Sequence, residues 1–256
     1  MCCRSARSAS SGSTATYCAP AGGLAGRDAE TIVDGGWLLP GLVDVHTHPG
    51  ALEPGAPFDD ELLRRQLGEH RDAGVLAVRT PGTSQRIPAW GDKDPELPRV
   101  TAAGRWLATP GRFFPGFGRD VSEAELVRAA VEEASGWCKV IGDWRADEPA
   151  VPLPLLTSVV EAVHAAGGKV AVHCQTAEGT RNAVLAGADS LEHGMHLDPA
   201  LLDRMAAQGT AFVPTLSVFG ARVEEMRARE PGVRRDLWLA SWDTMLGNVR
   251  AAHEAD

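Results

Sequence analysis

The stretch Leu39-Pro40-Gly41-Leu42-Val43-Asp44-Val45-His46-Thr47-His48-Pro49-Gly50 decides how this chain is read. It is an apolar run that leaves a Pro-Gly turn and ends in two histidines. Side chains alternate faces along a strand, so His46 and His48 are expected on one side, at the strand's C-terminal end. That placement suits two ligands of one metal ion. Taken alone the pair is a weak signal, because a histidine in an apolar segment is more often a hydrogen-bonded core residue.

The later chain strengthens it. Lys139 ends a run in WCKVI, His173 in VAVHC and His193 in SLEHG, and each run is followed by a helical pattern. A strand followed by a helix, repeated with ligand-type residues at the strands' C-terminal ends, is how a (β/α)8 barrel builds its active site at one mouth. Working outward, residues 59–74 read as an amphipathic helix ending at a glycine and 75–79 as a second strand. Residues 99–107 read as a third strand, 122–134 as a helix with Ser122 as cap and an acidic first turn, and 137–143 as strand four. Helices are expected at 154–167 and 176–187, with strand five at 169–174 and strand six at 190–193. Asp198-Pro199 opens a helix to residue 209, residues 210–218 form a β-branched strand seven, and one or two helices fill 224–255. On this count the chain stops where an eighth strand is due, giving an incomplete barrel with the edges of strands one and seven exposed. Residues 1–30 lack an apolar period and read as a disordered or remnant extension ahead of the barrel domain at 31–256.

Through PGLVDVHTHPG, WCKVIGDW, KVAVHCQTAEGTRNAVLAGADSLEHG and TAFVPTLSV, the sequence resembles the amidohydrolase superfamily, above all its prolidase-like and imidazolonepropionase-like members. The likeness covers approximately residue 31 to the C-terminus. It implies that His46 and His48 bind one divalent metal, that Lys139 is carboxylated and bridges two metals, and that His173 and His193 bind the second. Two zinc ions per chain and a carbon-dioxide-derived carbamate on Lys139 are the cofactors so implied. The family's aspartate at the end of strand eight, which moves the proton of the attacking water, has no match here, and most of its accessory β-sandwich is missing. The implied function is hydrolysis of an amide, cyclic amide or peptide-type carbon–nitrogen bond in a small-molecule or dipeptide-like substrate, with turnover impaired by truncation. The alternatives are a noncatalytic metal-binding remnant and a deaminase of the same superfamily. Lys139 weighs against the deaminase, whose mononuclear relatives usually lack that lysine.

Three residues beyond the ligands are candidates to meet substrate. Arg79, ahead of Thr80-Pro81-Gly82, suits a substrate carboxylate or a structural ion pair. Asp143 suits a substrate amine or a turn cap, and His196 sits in a loop just past His193. Composition excludes other classes. A net charge of −9 lacks the clustered cations that nucleic acid requires, and no apolar run approaches the ~18 residues of a membrane span. Five cysteines without CxxC spacing argue against a disulfide framework or zinc finger. A cytoplasmic enzyme is expected, with exposed strand edges favouring homo-oligomers.

Overall fold

A computed structural model of the chain describes residues 2–7, 14–19, 30–31, 37, 39–53, 55–91 and 93–255. The chain divides into two compact units, Met1–Gly41 and Leu42–Asp256. In the first, strands β1 (Cys2–Arg7), β2 (Thr14–Ala19) and β3 (Glu30–Thr31) form an antiparallel sheet with β1 in the middle. Of the disordered or remnant extension expected over residues 1–30, the described residues form these strands. Runs such as TATYCA carry the Thr and Tyr content that favours strands even without an apolar alternation.

The second unit is α/β with parallel sheets. It runs β4 (Leu42–Asp44), α1 (Asp60–Asp72), β5 (Val75–Thr80), β6 (Arg99–Ala102), β7 (Leu107–Ala108), β8 (Arg119–Asp120), α2 (Glu123–Glu133) and β9 (Trp137–Ile141). Then come α3 (Leu153–Ala165), β10 (Lys169–Cys174), α4 (Ala177–Ala186), β11 (Ser190–His193), a 3-10 turn at Pro199–Leu201, α5 (Leu202–Gln208) and β12 (Ala211–Val213). Helices α6 (Leu216–Gly220), α7 (Val223–Ala228) and α8 (Val233–Ala255) follow. One sheet has the order β4-β5-β6 and the other β12-β11-β10-β9-β7-β8. A parallel bridge between Thr83 and Arg105 links them.

Local chemistry accounts for the helix limits. Asp59 accepts from the backbone N–H of Leu62 at 2.7 Å, with Asp60 and Glu61 in the first turn of α1. Thr176 caps α4 in the same way, and Gly187 and Gly209 end α4 and α5 in the left-handed conformation.

The main core lies between the larger sheet and α2–α5, where Val140, Val170, Val172 and Leu191 meet Leu126, Leu156 and Val163. Leu63 and Leu67 of α1 cover Val78 and Val100 of the smaller sheet. Leu156 is fully buried in α3, so Leu156→Ala is expected to cost about 2–5 kcal/mol in urea denaturation. Among the described residues no helix is long and apolar enough to cross a membrane.

Two expected strands are cut short. The run at 99–107 becomes β6 and β7 in different sheets, because the chain turns at Gly104 with φ +70, where a Cβ would overlap the Glu133 carbonyl oxygen. The run at 210–218 stops at Val213, where Pro214 and Thr215 (φ 48) swing the chain into α6.

Candidate metal centre

His46 and His48 lie in the turn just past β4 instead of within the strand. The backbone N–H of His46 donates to Asp44 Oδ1 at 3.0 Å, bending the chain there. His48 Nδ1 donates to the Gly82 carbonyl at 2.8 Å, and His46 Nδ1 is bonded to Glu192 Oε2. Both Nε2 atoms therefore face inward, 3.2 Å apart. Lys139 of β9 and His173 of β10 face the same space, and His193 closes it from β11. Ring centroids lie 5.0 Å apart for His46 and His193 and 4.6 Å apart for His173 and His193. Thr215 Oγ1 hydrogen-bonds His193 Nδ1 at 2.8 Å.

Among the described residues, three or more His, Cys, Asp or Glu side chains do not close on a single point. What fits an ion is more particular. Two nitrogens at the usual ~2.0–2.1 Å from one tetrahedral zinc lie about 3.3 Å apart, close to the His46–His48 separation. Lys139 Nζ and His173 Nε2 are buried polar atoms with no hydrogen-bond partner, a condition that folded proteins rarely tolerate without a bound group.

Electrostatics point the same way. Burial, and then the neighbouring His46, lower His48 to about 3. Burial also holds His46, His173 and His193 below the ordinary histidine range. All four imidazoles are thus neutral, as metal ligands must be. Burial lowers Lys139 to about 8, although the Glu192 carboxylate pulls it upward. Among the described residues the non-glycines with positive φ are His193 (66°), His196 (58°) and Thr215 (48°), all lining this space. Such conformations cost on the order of 1–3 kcal/mol each and concentrate at functional sites.

The centre sits at the bottom of a cavity of about 590 Å³, a volume suited to a small-molecule ligand. Phe113 packs its edge on Trp144 at 4.9 Å and on His173 at 5.4 Å, with Trp106, Phe114 and Phe117 beside them. Met195, Phe219 and Trp238, which pack together, also line it, as do Arg145 and Arg222.

Of the three further candidates, His196 lines the cavity, while Arg79 and Asp143 do not. The Arg79 guanidinium donates to Glu192 Oε1 at 2.7 Å, to Ser190 Oγ at 3.2 Å and to the Val45 carbonyl at 2.8 Å. Its carbon stands 4.6 Å above the Trp137 ring. Asp143 accepts from the backbone N–H of Gln175 at 2.7 Å and of Thr176 at 2.9 Å, and from Thr176 Oγ1 at 2.7 Å. It anchors the start of α4, and burial raises its carboxyl to about 6 against the pull of those donors. Glu192 was not among the expected residues, yet it is fully buried at the heart of the cluster.

No family model matches the chain. An uncharacterized protein of Mycobacterium tuberculosis and one of Mycobacterium bovis are each 36% identical over 241 residues, covering 89% of this chain and 64% of their own length. The chain therefore spans less than two thirds of these curated relatives. Among solved structures, a Xaa-Pro dipeptidase with bound methionine aligns with a TM-score of 0.68 at 24% identity, over 84% of this chain and 63% of that one. The A. niger ochratoxinase gives 0.68 at 20%, over 84% and 61%, and an amidohydrolase gives 0.64 at 20%, over 84% and 63%. The chain therefore shares its fold with solved prolidase-like and amidohydrolase structures.

Proposed function

We propose that this chain carries the metal centre of an amidohydrolase with a (β/α)8-barrel-type fold that hydrolyses a carbon–nitrogen bond of amide, cyclic amide or peptide type. The observation that carries the reading is the meeting of four neutral imidazoles with Lys139 at one cavity, where Lys139 Nζ and His173 Nε2 are buried without a hydrogen-bond partner. His46 and His48 would hold one divalent ion, His173 and His193 a second, with Lys139 as a carbamate between them. When bound, such ions make a water acidic enough to attack near neutrality and polarise the carbonyl under attack.

The chain's own residues prepare that chemistry. The Gly82 carbonyl fixes the His48 tautomer so that its Nε2 lone pair points inward. The Phe113–Trp144 wall and the Phe219–Trp238 wall exclude bulk water from the centre and accept the apolar part of a substrate. His196 and Arg145 are placed at the cavity surface to contact its polar ends. The neighbours' printed activities, on a Xaa-Pro dipeptide and as an amidohydrolase, agree with a carbon–nitrogen substrate. Among the described lining residues Glu53 is the one carboxylate, and it is exposed. That observation favours a second reading, a metal-binding centre without turnover of its own.

The test is metal content by mass spectrometry on protein purified without chelator. We expect roughly two equivalents of zinc in the wild type and at least one fewer in His173→Ala. Absence of metal after incubation with zinc would sink the proposal, and hydrolysis of any member of an amide panel would remove the noncatalytic reading.

A further inference from the structure

We propose that Glu192 is the positioning residue of the centre, fixing His46 as the Nδ1–H tautomer so that its Nε2 lone pair stays available to a metal. The inference rests on the metal reading above for its purpose, though not for its geometry.

Glu192 is fully buried, and both its oxygens are engaged by donors. Oε2 faces His46 Nδ1, while Oε1 accepts from Arg79 Nη2 at 2.7 Å and from Ser190 Oγ at 2.6 Å. With Oε1 taken by two donors, Arg79 and Ser190, the remaining oxygen meets His46 Nδ1 as an acceptor, so this contact places a ring proton on Nδ1. Arg79 is in turn fixed by the Val45 carbonyl and the Trp137 ring, which ties the turn carrying His46 to β5 and β11.

The consequence lies on the other side of the ring. His48 donates its own Nδ1 proton to Gly82, so its Nε2 is a bare acceptor 3.2 Å from His46 Nε2. Were His46 protonated on Nε2, the two rings would hydrogen-bond each other at that distance and neither lone pair would be free. Glu192 forbids this self-satisfied state. It leaves two acceptors facing one another, an arrangement that a cation resolves.

Glu192→Gln separates these states with minimal change in shape. Arg79 and Ser190 both donate, so the glutamine oxygen takes the Oε1 position and its NH2 group faces His46 Nδ1. That NH2 donates, which drives the His46 proton to Nε2 and closes the pair with His48.

The experiment is long-range proton–nitrogen NMR on metal-free, 15N-histidine-labelled protein, with His46 assigned by its loss in His46→Ala, alongside zinc affinity and thermal melting of the same samples. The expected result is Nδ1–H in the wild type, Nε2–H in Glu192→Gln, and zinc binding weakened about 10- to 100-fold in the variant. Nε2–H in the metal-free wild type overturns the proposal even if the variant fails to fold. So does a folded Glu192→Gln that keeps the wild-type tautomer and zinc affinity. A wild type that shows Nδ1–H yet binds no zinc refutes the metal reading and leaves the tautomer assignment standing, so the two failures are distinct.

Discussion

Gly82→Ala is expected to destabilise the protein by about 2–6 kcal/mol and to weaken zinc binding at the same time. Gly82 has φ +109, a backbone conformation that costs a side-chain-bearing residue about 1–3 kcal/mol. A Cβ built there falls inside the Trp106 indole, and making room in a packed site adds about 1–3 kcal/mol. Trp106 cannot yield freely, because its ring packs edge-on to His48 at 4.7 Å and to Phe117 at 4.3 Å. The Gly82 carbonyl also holds His48 Nδ1, so displacement of the turn disturbs the ligand from two directions. Gly111→Ala is the control. Gly111 has φ +75, but a Cβ there meets nothing within 4 Å, so it bears the strain without the overlap. Urea denaturation and zinc titration of both variants decide the matter. If Gly82→Ala costs no more than Gly111→Ala and leaves zinc affinity intact, the packing of Trp106 against this turn is not what shapes the centre.

The sequence discloses this site unevenly, for physical reasons. Lys139, His173 and His193 are legible because each lies in a short run buried on both faces, Lys139 at the middle of β9, and β10 and β11 coincide with the runs at 169–174 and 190–193. Alternation also puts Lys139 and His173 on one face, since Ala171 lies opposite Lys139 in the parallel register. The same rule conceals Glu192. Neighbours on a strand point to opposite faces, so Glu192 reads as turned away from the centre when His193 is turned toward it. Both join one cluster because His193 leaves the strand conformation at φ 66. Arg79 misleads in a related way. An arginine at a strand end reads as open to substrate until its partner is known, and Glu192 lies 113 residues further on. Asp143 reads as a partner for a substrate amine or as a cap of the turn before Trp144, whereas its acceptors are taken up by Gln175 and Thr176 at the start of α4, 32 and 33 residues further on. The breaks after Ala102 and Val213 carry only the single marks Gly104 and Pro214, and what makes them breaks, a tight approach to Glu133 and a left-handed threonine, is set by the fold.

Lys139→Met is expected to make the metal-free protein more stable while removing its capacity to bind metal fully. The wild-type ammonium is buried without a hydrogen-bond partner. Burial lowers it from 10.5 to about 8, which corresponds to a cost on the order of 3 kcal/mol at pH 7. Methionine fills a similar volume with no charge to desolvate. The advantage is full below pH about 8 and fades as pH rises towards 10.5. Over that interval the folded wild-type lysine has shed its proton while the unfolded chain still holds it, so the wild type gains stability with pH. Zinc reverses the order. At a hundred times its dissociation constant a bound ligand adds about 2.7 kcal/mol to the wild type, and the variant, lacking the carbamate, gains less. Denaturation curves at pH 7 and pH 10, with and without zinc, therefore carry a sign as well as a size. A variant less stable than wild type in the metal-free state would show that Lys139 contributes to the fold itself. A crossing of the two stabilities on adding zinc is what a residue retained for the ion, at the expense of the empty fold, requires.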